Sequence, residues 1–269
     1  MSLFPPRKPV DEETGNDKLP FMSHLEELRG RLMKSVGALL VAFGLCYWKS
    51  QIFFDFFMQP LVKALPEGST IVMLRVTEGF MAHIKVSLAA AVLFACPVIF
   101  YQLWRFIEPA LKAREKRFVF PFVGGATVFF LMGVSFAHFA VFPVGLKYLL
   151  DYARGNPFMT ATISVDWYFG FAMKMLLAFG IVFELPVIVF FLAKIGLVNH
   201  RMLSRARGLA VIIIFVVAAV LTPSPDAFSQ ILMAVPLLIL YELSILVARI
   251  VGPKPSPEVA ETDEDEEDA

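Results

Sequence analysis

Apolar residues run in long, nearly unbroken blocks along this chain, and charged residues gather in the gaps between them. A helix crossing a bilayer needs about 20 mostly apolar residues, within a range of roughly 17–25. Six blocks meet or approach that length, at 32–48, 80–106, 118–142, 169–195, 209–222 and 227–251. The pattern predicts an all-α polytopic membrane protein of six transmembrane helices. The fifth block is short: about 14 residues rise only about 21 Å at about 1.5 Å each. It either thins the bilayer locally or extends past its apolar core. Pro97, Pro186 and Pro236 lie inside the second, fourth and sixth blocks. Each frees a backbone carbonyl and favours a kink, so a curved, concave arrangement is expected. No internal repeat of the kind common in secondary transporters is visible. The blocks divide the chain into a polar tail at 1–22, a helical domain at 23–251 and an acidic, disordered tail at 252–269.

Composition sharpens this picture. Residues are 58% hydrophobic and only 18% charged, far more apolar than a soluble domain of this length. The formal net charge of zero is an average of unlike parts: the tail beyond Pro253 is crowded with acids and leaves the body basic. Lysines and arginines flank alternate ends of the blocks. Lys18, Arg29, Arg31 and Lys34 precede or open the first, Lys112, Arg114, Lys116 and Arg117 follow the second, and Lys194, Arg201, Arg205 and Arg207 follow the fourth. The positive-inside rule then puts both termini in the cytoplasm. The polar opening, with Pro5, Pro6 and Pro9, lacks an apolar core ahead of a small-residue cleavage site, so the first span is expected to act as an uncleaved topogenic signal. In the outward loop at 49–78, IFFDFFMQPLVKAL reads as an aromatic amphipathic helix broken at Pro60. RGNP marks a turn in the next outward loop. Cys46 and Cys96 fall inside spans and read as small buried hydrophobes rather than a disulfide framework.

Candidate chemistry sits where charge meets these blocks. Glu184 stands in AFGIVFELPVIVFFL, otherwise uncharged. A carboxylate near the centre of a spanning helix costs roughly 2.5–3.5 kcal/mol on insertion scales. It persists only if neutralised, hydrogen-bonded, or turned toward a polar cavity or a partner; a carbonyl freed by a nearby proline is the structural alternative. Gln230 is a second polar candidate on the membrane side. Before the first span, MSHLEELRGRLMK carries Ser23 and Glu26 at capping-box spacing, so a helix is expected to start there. Leu25, Leu28 and Leu32 share one face of it, and Glu27 and Arg31 are four apart. Two readings stand: an amphipathic surface helix, or an acidic docking point for a basic ligand. Glu108 pairs with Lys112 or adds a third acid to such a point. In TPSPDAFSQ, Asp226 is expected to follow a tight turn and cap the sixth helix. Lys85, His83 and His138 are read as satisfied structural groups. No P-loop, HExxH, GxSxG or Cys/His cluster is present, so no cofactor, metal or catalytic residue is assigned and the chain is not read as an enzyme.

HLEELRGRL, YQLWRFIEPALKAREKR, FELPV and LTPSPDAFSQ, in that order and spacing, resemble the TatC family, the membrane core of the twin-arginine protein translocase. The resemblance covers about 23–249. It implies a receptor in the bacterial plasma membrane for folded proteins with Arg-Arg signal peptides, driven by the proton-motive force. The implied partners are the single-span TatA and TatB subunits, precursor proteins, membrane lipids and other copies of the chain, with no nucleic acid. The implied signal-peptide site is Glu27 and Glu115, with Phe106 as its aromatic and Arg29 and Arg31 as a basic pair that holds the fold or positions the acids. Glu184 matches a membrane-embedded polar site for partner helices. Glu108 departs from the small residue of many relatives. The rival reading is a proton-coupled small-solute carrier with Glu184 as its protonation site, and a third is a purely structural scaffold.

Overall fold

The computed structural model describes residues 18–108, 119–151, 160–222 and 226–252. These form α1 (Lys18–Trp48), α2 (Ser50–Ala64), β1 (Thr70–Val72), α3 (Glu78–Ile107), α4 (Val119–Phe136), a π-helical turn (Ala137–Val141), α5 (Phe142–Asp151), β2 (Thr162–Ser164), α6 (Val165–Phe183), α7 (Leu185–Lys194), α8 (His200–Arg205), α9 (Arg207–Leu221) and α10 (Ala227–Val251). Each of the six apolar blocks is helical. Five helical runs are long and apolar enough to span a membrane: His24–Trp48, Glu78–Ile107, Val119–Asp151, Val165–Lys194 and Ala227–Val251. The sixth, Arg207–Leu221, has 15 residues and remains short, as its sequence predicts.

Several expectations are corrected. α1 already runs from Lys18, ahead of Ser23, and continues without a break into the first span. Its polar beginning is therefore the extension of a transmembrane helix, not a separate surface helix. Pro60 does not break α2: the helix passes through it, and Pro60 is buried with Phe57, Met58, Leu61 and Ala64. One lost backbone bond is outweighed by packing of that face. Tyr168 Oη also donates to Phe57 O at 2.7 Å, pinning α2 to α6 just ahead of the proline. α3 and α10 likewise stay helical through Pro97 and Pro236. Only near Pro186 does a span break, at Glu184, where α6 ends and α7 begins. The third span changes gauge instead at the π-helical turn, which carries buried His138. The RGNP turn and the acidic tail lie outside the described residues.

A small parallel strand pair is an addition to the all-helical expectation. Thr70, Ile71 and Val72 pair with Thr162, Ile163 and Ser164, joining two loops far apart in sequence. Ser164 Oγ donates to the buried carboxylate of Glu78 at 3.0 Å and accepts from Trp167 N as the cap of α6. The loop end of the bundle is thereby stitched to the starts of α3 and α6. Asp226 caps α10 as expected, accepting from Ser229 N at 2.8 Å.

The main core joins α2, α3, α4, α5, α6, α9 and α10. α1 is peripheral and leans mainly on α3, where Ala90 and Ala91 admit Cys46 and Phe43. Both cysteines are free and buried. α4 and α6 approach closely at two glycines. A Cβ on Gly133 would stand 2.5 Å from Phe179 O, and one on Gly180 would stand 2.6 Å from the Phe130 ring. Gly133→Ala should therefore destabilise the purified protein by about 1–3 kcal/mol through overpacking, read as a lower thermal midpoint in detergent. Gly37→Ala, whose Cβ meets open space, should leave the midpoint unchanged.

Candidate functional site

One end of the bundle gathers the start of α1, the end of α3, the start of α4 and the end of α7. Trp104 is fully buried there, with its ring 4.8 Å from Phe122 and 4.9 Å from Phe191. This aromatic wedge fixes the last turn of α3, so Arg105, Phe106 and Glu108 project from a rigid platform. α1 crosses the platform antiparallel, and His24 stacks on Phe106 at 4.4 Å between ring centroids, 20° from parallel.

Glu27 lies one turn further along α1, on the face that His24 begins. Arg31 Nη2 donates to Glu27 Oε1 at 3.1 Å, the i,i+4 pair that the sequence predicts. Among the described residues nothing bonds Oε2, and the side chain is 31% exposed. Half of the carboxylate is thus held in place and half is open to a ligand. Glu108 accepts from Arg105, whose Nη1 donates to Oε2 at 2.6 Å; Lys112, its expected partner, lies outside the described residues. Arg105 precedes Glu108 by one turn on the same helix, within reach before the chain leaves the described region. Arg105 is also close enough to Glu27 to feel its charge. Arg29 is exposed, two positions from Glu27 and so on another face. Glu115 lies outside the described residues. His24 and Arg105 are parts of this cluster that sequence reasoning missed. The signal for His24 was its i−3 spacing to Glu27, and that for Arg105 its i−3 spacing to Glu108.

The second polar group is internal. Glu184 is 7% exposed and Oε1 has no hydrogen-bond partner. Its backbone ends α6, donating to Ile181 O at 3.1 Å, and its carbonyl accepts from Ile188 N at 2.8 Å to start α7. Cys96 and Thr127 lie nearby on α3 and α4. Just beyond, Pro186 and Val187 help line an apolar cavity of about 210 Å³ between α4, α7 and α10. Gln230 belongs to a different contact: Nε2 donates to Phe215 O at 3.1 Å, fastening α10 to α9. Lys85 and His83 are satisfied, through Asp166 and Ser50. His138 is not: it stacks on Phe56 but its Nδ1 has no partner.

A body of long apolar helices, with ionisable groups paired at one end and lodged at one internal break, is a polytopic membrane protein. A family model described as Sec-independent protein translocase protein (TatC) matches residues 23–236, and the chain belongs to that family. It is 44% identical over 253 residues to the TatC protein of Desulforapulum autotrophicum, covering 94% of this chain and 90% of the relative. It is 40% identical over 236 residues to that of Aquifex aeolicus, covering 88% and 97%. A crystal structure of the twin arginine translocase receptor TatC matches with a TM-score of 0.76 at 40% identity, over 85% of this chain and 99% of that one.

The Phe130 backbone lies within reach of the Glu184 carboxyl, but the buried Oε1 stays without a partner, which costs stability. Glu184→Met should raise the thermal midpoint of the purified protein, because an apolar side chain of similar length leaves no orphaned oxygen. A midpoint lowered by several degrees would show that a partner inside the chain holds the carboxyl.

Proposed function

We propose that this chain is the signal-peptide receptor of a twin-arginine translocase, working in the inner membrane with six spans and both termini cytoplasmic. The observation that carries the reading is the half-open Glu27 carboxylate beside the His24–Phe106 stack. A guanidinium seeks a carboxylate in a fixed, bidentate or shared geometry and a flat ring to lie upon. The α1–α3 end supplies both. Arg31 orients Glu27 without consuming it, and Arg105 keeps Glu108 from competing. Glu115, in the same basic loop, is the second acid for the second arginine. The peptide's apolar stretch then lies along the membrane face.

Glu184 serves the assembly step in this reading. Helices of TatA- and TatB-type subunits dock near the α6–α7 break and bring a polar group to the carboxyl. Further copies of the chain complete the complex, and the proton-motive force drives transport.

Glu27→Ala should weaken binding of an Arg-Arg precursor by about tenfold to a hundredfold, the value of one charge-assisted hydrogen bond. Site-specific photocrosslinking from α1 to a twin-arginine precursor, with a twin-lysine control, reads this directly. Undiminished crosslinking of a Glu27→Lys, Glu115→Lys double variant would sink the site. Glu184→Gln should keep part of the transport activity and Glu184→Met should lose it, while both still bind precursor. Transport by Glu184→Met at the normal rate would leave the carboxyl with no role in assembly.

A further inference from the structure

The strand-pair end of the bundle holds a groove of about 550 Å³ between α3, α6 and the end of α9. Lys85, Asp166 and Lys174 line it, with Trp167 at its edge and Phe171 and Val220 on its walls. Lys85 and Asp166 neutralise each other: Nζ bonds Oδ1, and reaches the Asp166 carbonyl at 3.4 Å. Lys174 is different. It is exposed and, among the described residues, has no hydrogen-bond or ion-pair partner. The groove therefore carries one spare positive charge.

Depth says what kind of anion can meet it. The α6–α7 run of 30 residues is about 45 Å long, against a hydrocarbon core of about 30 Å. Centred in the bilayer, it places the Lys174 backbone about 6 Å inside the hydrocarbon boundary, since Val165 lies about 13 Å away along the helix. A lysine at that depth snorkels toward the nearer interface, which is the side of the groove marked by half-exposed Trp167. A carboxylate on a partner helix would bear its own burial cost to arrive there. A phospholipid phosphate is already at that level, carries one negative charge, and brings acyl chains that match Phe171 and Val220.

We propose that this groove is a phospholipid site, in which Lys174 holds the phosphate of a lipid from the leaflet on the strand-pair side. The proposal is independent of precursor binding at the opposite end. Native mass spectrometry of the detergent-purified full chain tests it with phosphatidylglycerol and a diacylglycerol of the same chains. The wild type should retain phosphatidylglycerol about tenfold more strongly, the scale of one lysine–phosphate attraction near a membrane surface. Lys174→Gln should erase that preference, and Lys174→Arg should keep it. Val220→Trp fills the groove from the 80% exposed face of α9 and should displace the lipid with no charge altered, which keeps the test decisive if Lys174→Gln fails to fold. Unchanged retention in Lys174→Gln and Val220→Trp overturns the proposal. So does displacement of the lipid by equimolar inorganic phosphate, which would make the groove a free-anion site, or by a carboxylate-bearing transmembrane peptide.

Discussion

Hydrocarbon offers no hydrogen bonds, so a chain crossing it must satisfy its own backbone wherever lipid can reach. That constraint explains where this protein is regular and where it is not. The lipid-facing α1 runs uninterrupted for 31 residues. The two irregularities within long spans are the π-helical turn after α4 and the break at Glu184, and both fall on the closely packed α4–α6 pair. Gly133 and Gly180 let those helices approach until backbone meets ring. Ala137, His138 and Val141 at the first irregularity and Glu184 and Pro186 at the second are buried within the protein. The break in turn is what allows a carboxyl to sit inside the membrane body without distorting a continuous helix.

Charge is handled by the same economy at the opposite ends. Glu27 is steadied by Arg31 and Glu108 by Arg105, in both cases along a single helix. Such pairs are worth only a few tenths of a kcal/mol to stability. Their effect is geometric: they set which oxygen faces outward. At the strand-pair end, Lys85 and Asp166 instead join α3 to α6, and Glu78 joins α3 to the strand pair through Ser164. The strand-pair end is cross-linked between elements; at the other end these two pairs stay within single helices, and Arg207 and Glu242 join α9 to α10.

Much of this was legible in the residues. Hydrophobic block lengths located every long helix, because burial in lipid is a composition-level demand. The Glu27–Arg31 pair and the Asp226 cap followed from local spacing. Proline was only partly legible: Pro60, Pro97 and Pro236 each forgo a backbone bond, yet α2, α3 and α10 stay helical through them. The β1–β2 pairing left no trace in pattern, since three-residue strands joining distant loops depend on where the helices put their ends. The Arg105–Glu108 pair was missed because i,i+3 spacing offers it but rotamer choice decides whether it forms. The wedge of Trp104, Phe122 and Phe191 is likewise a meeting of three distant segments, which no local window reveals.

The shortness of α9 also constrains how the chain reaches its final state. Its 15 residues cannot hold a bilayer alone, and Arg207 at its start is clamped by both nitrogens, each at 2.9 Å, to Glu242 of α10. Gln230 closes the other end of the same pair. A segment this marginal gains its place in the membrane only together with the helix that follows. The short helix and its two tethers favour entry of α9 and α10 into the bilayer together, as one hairpin.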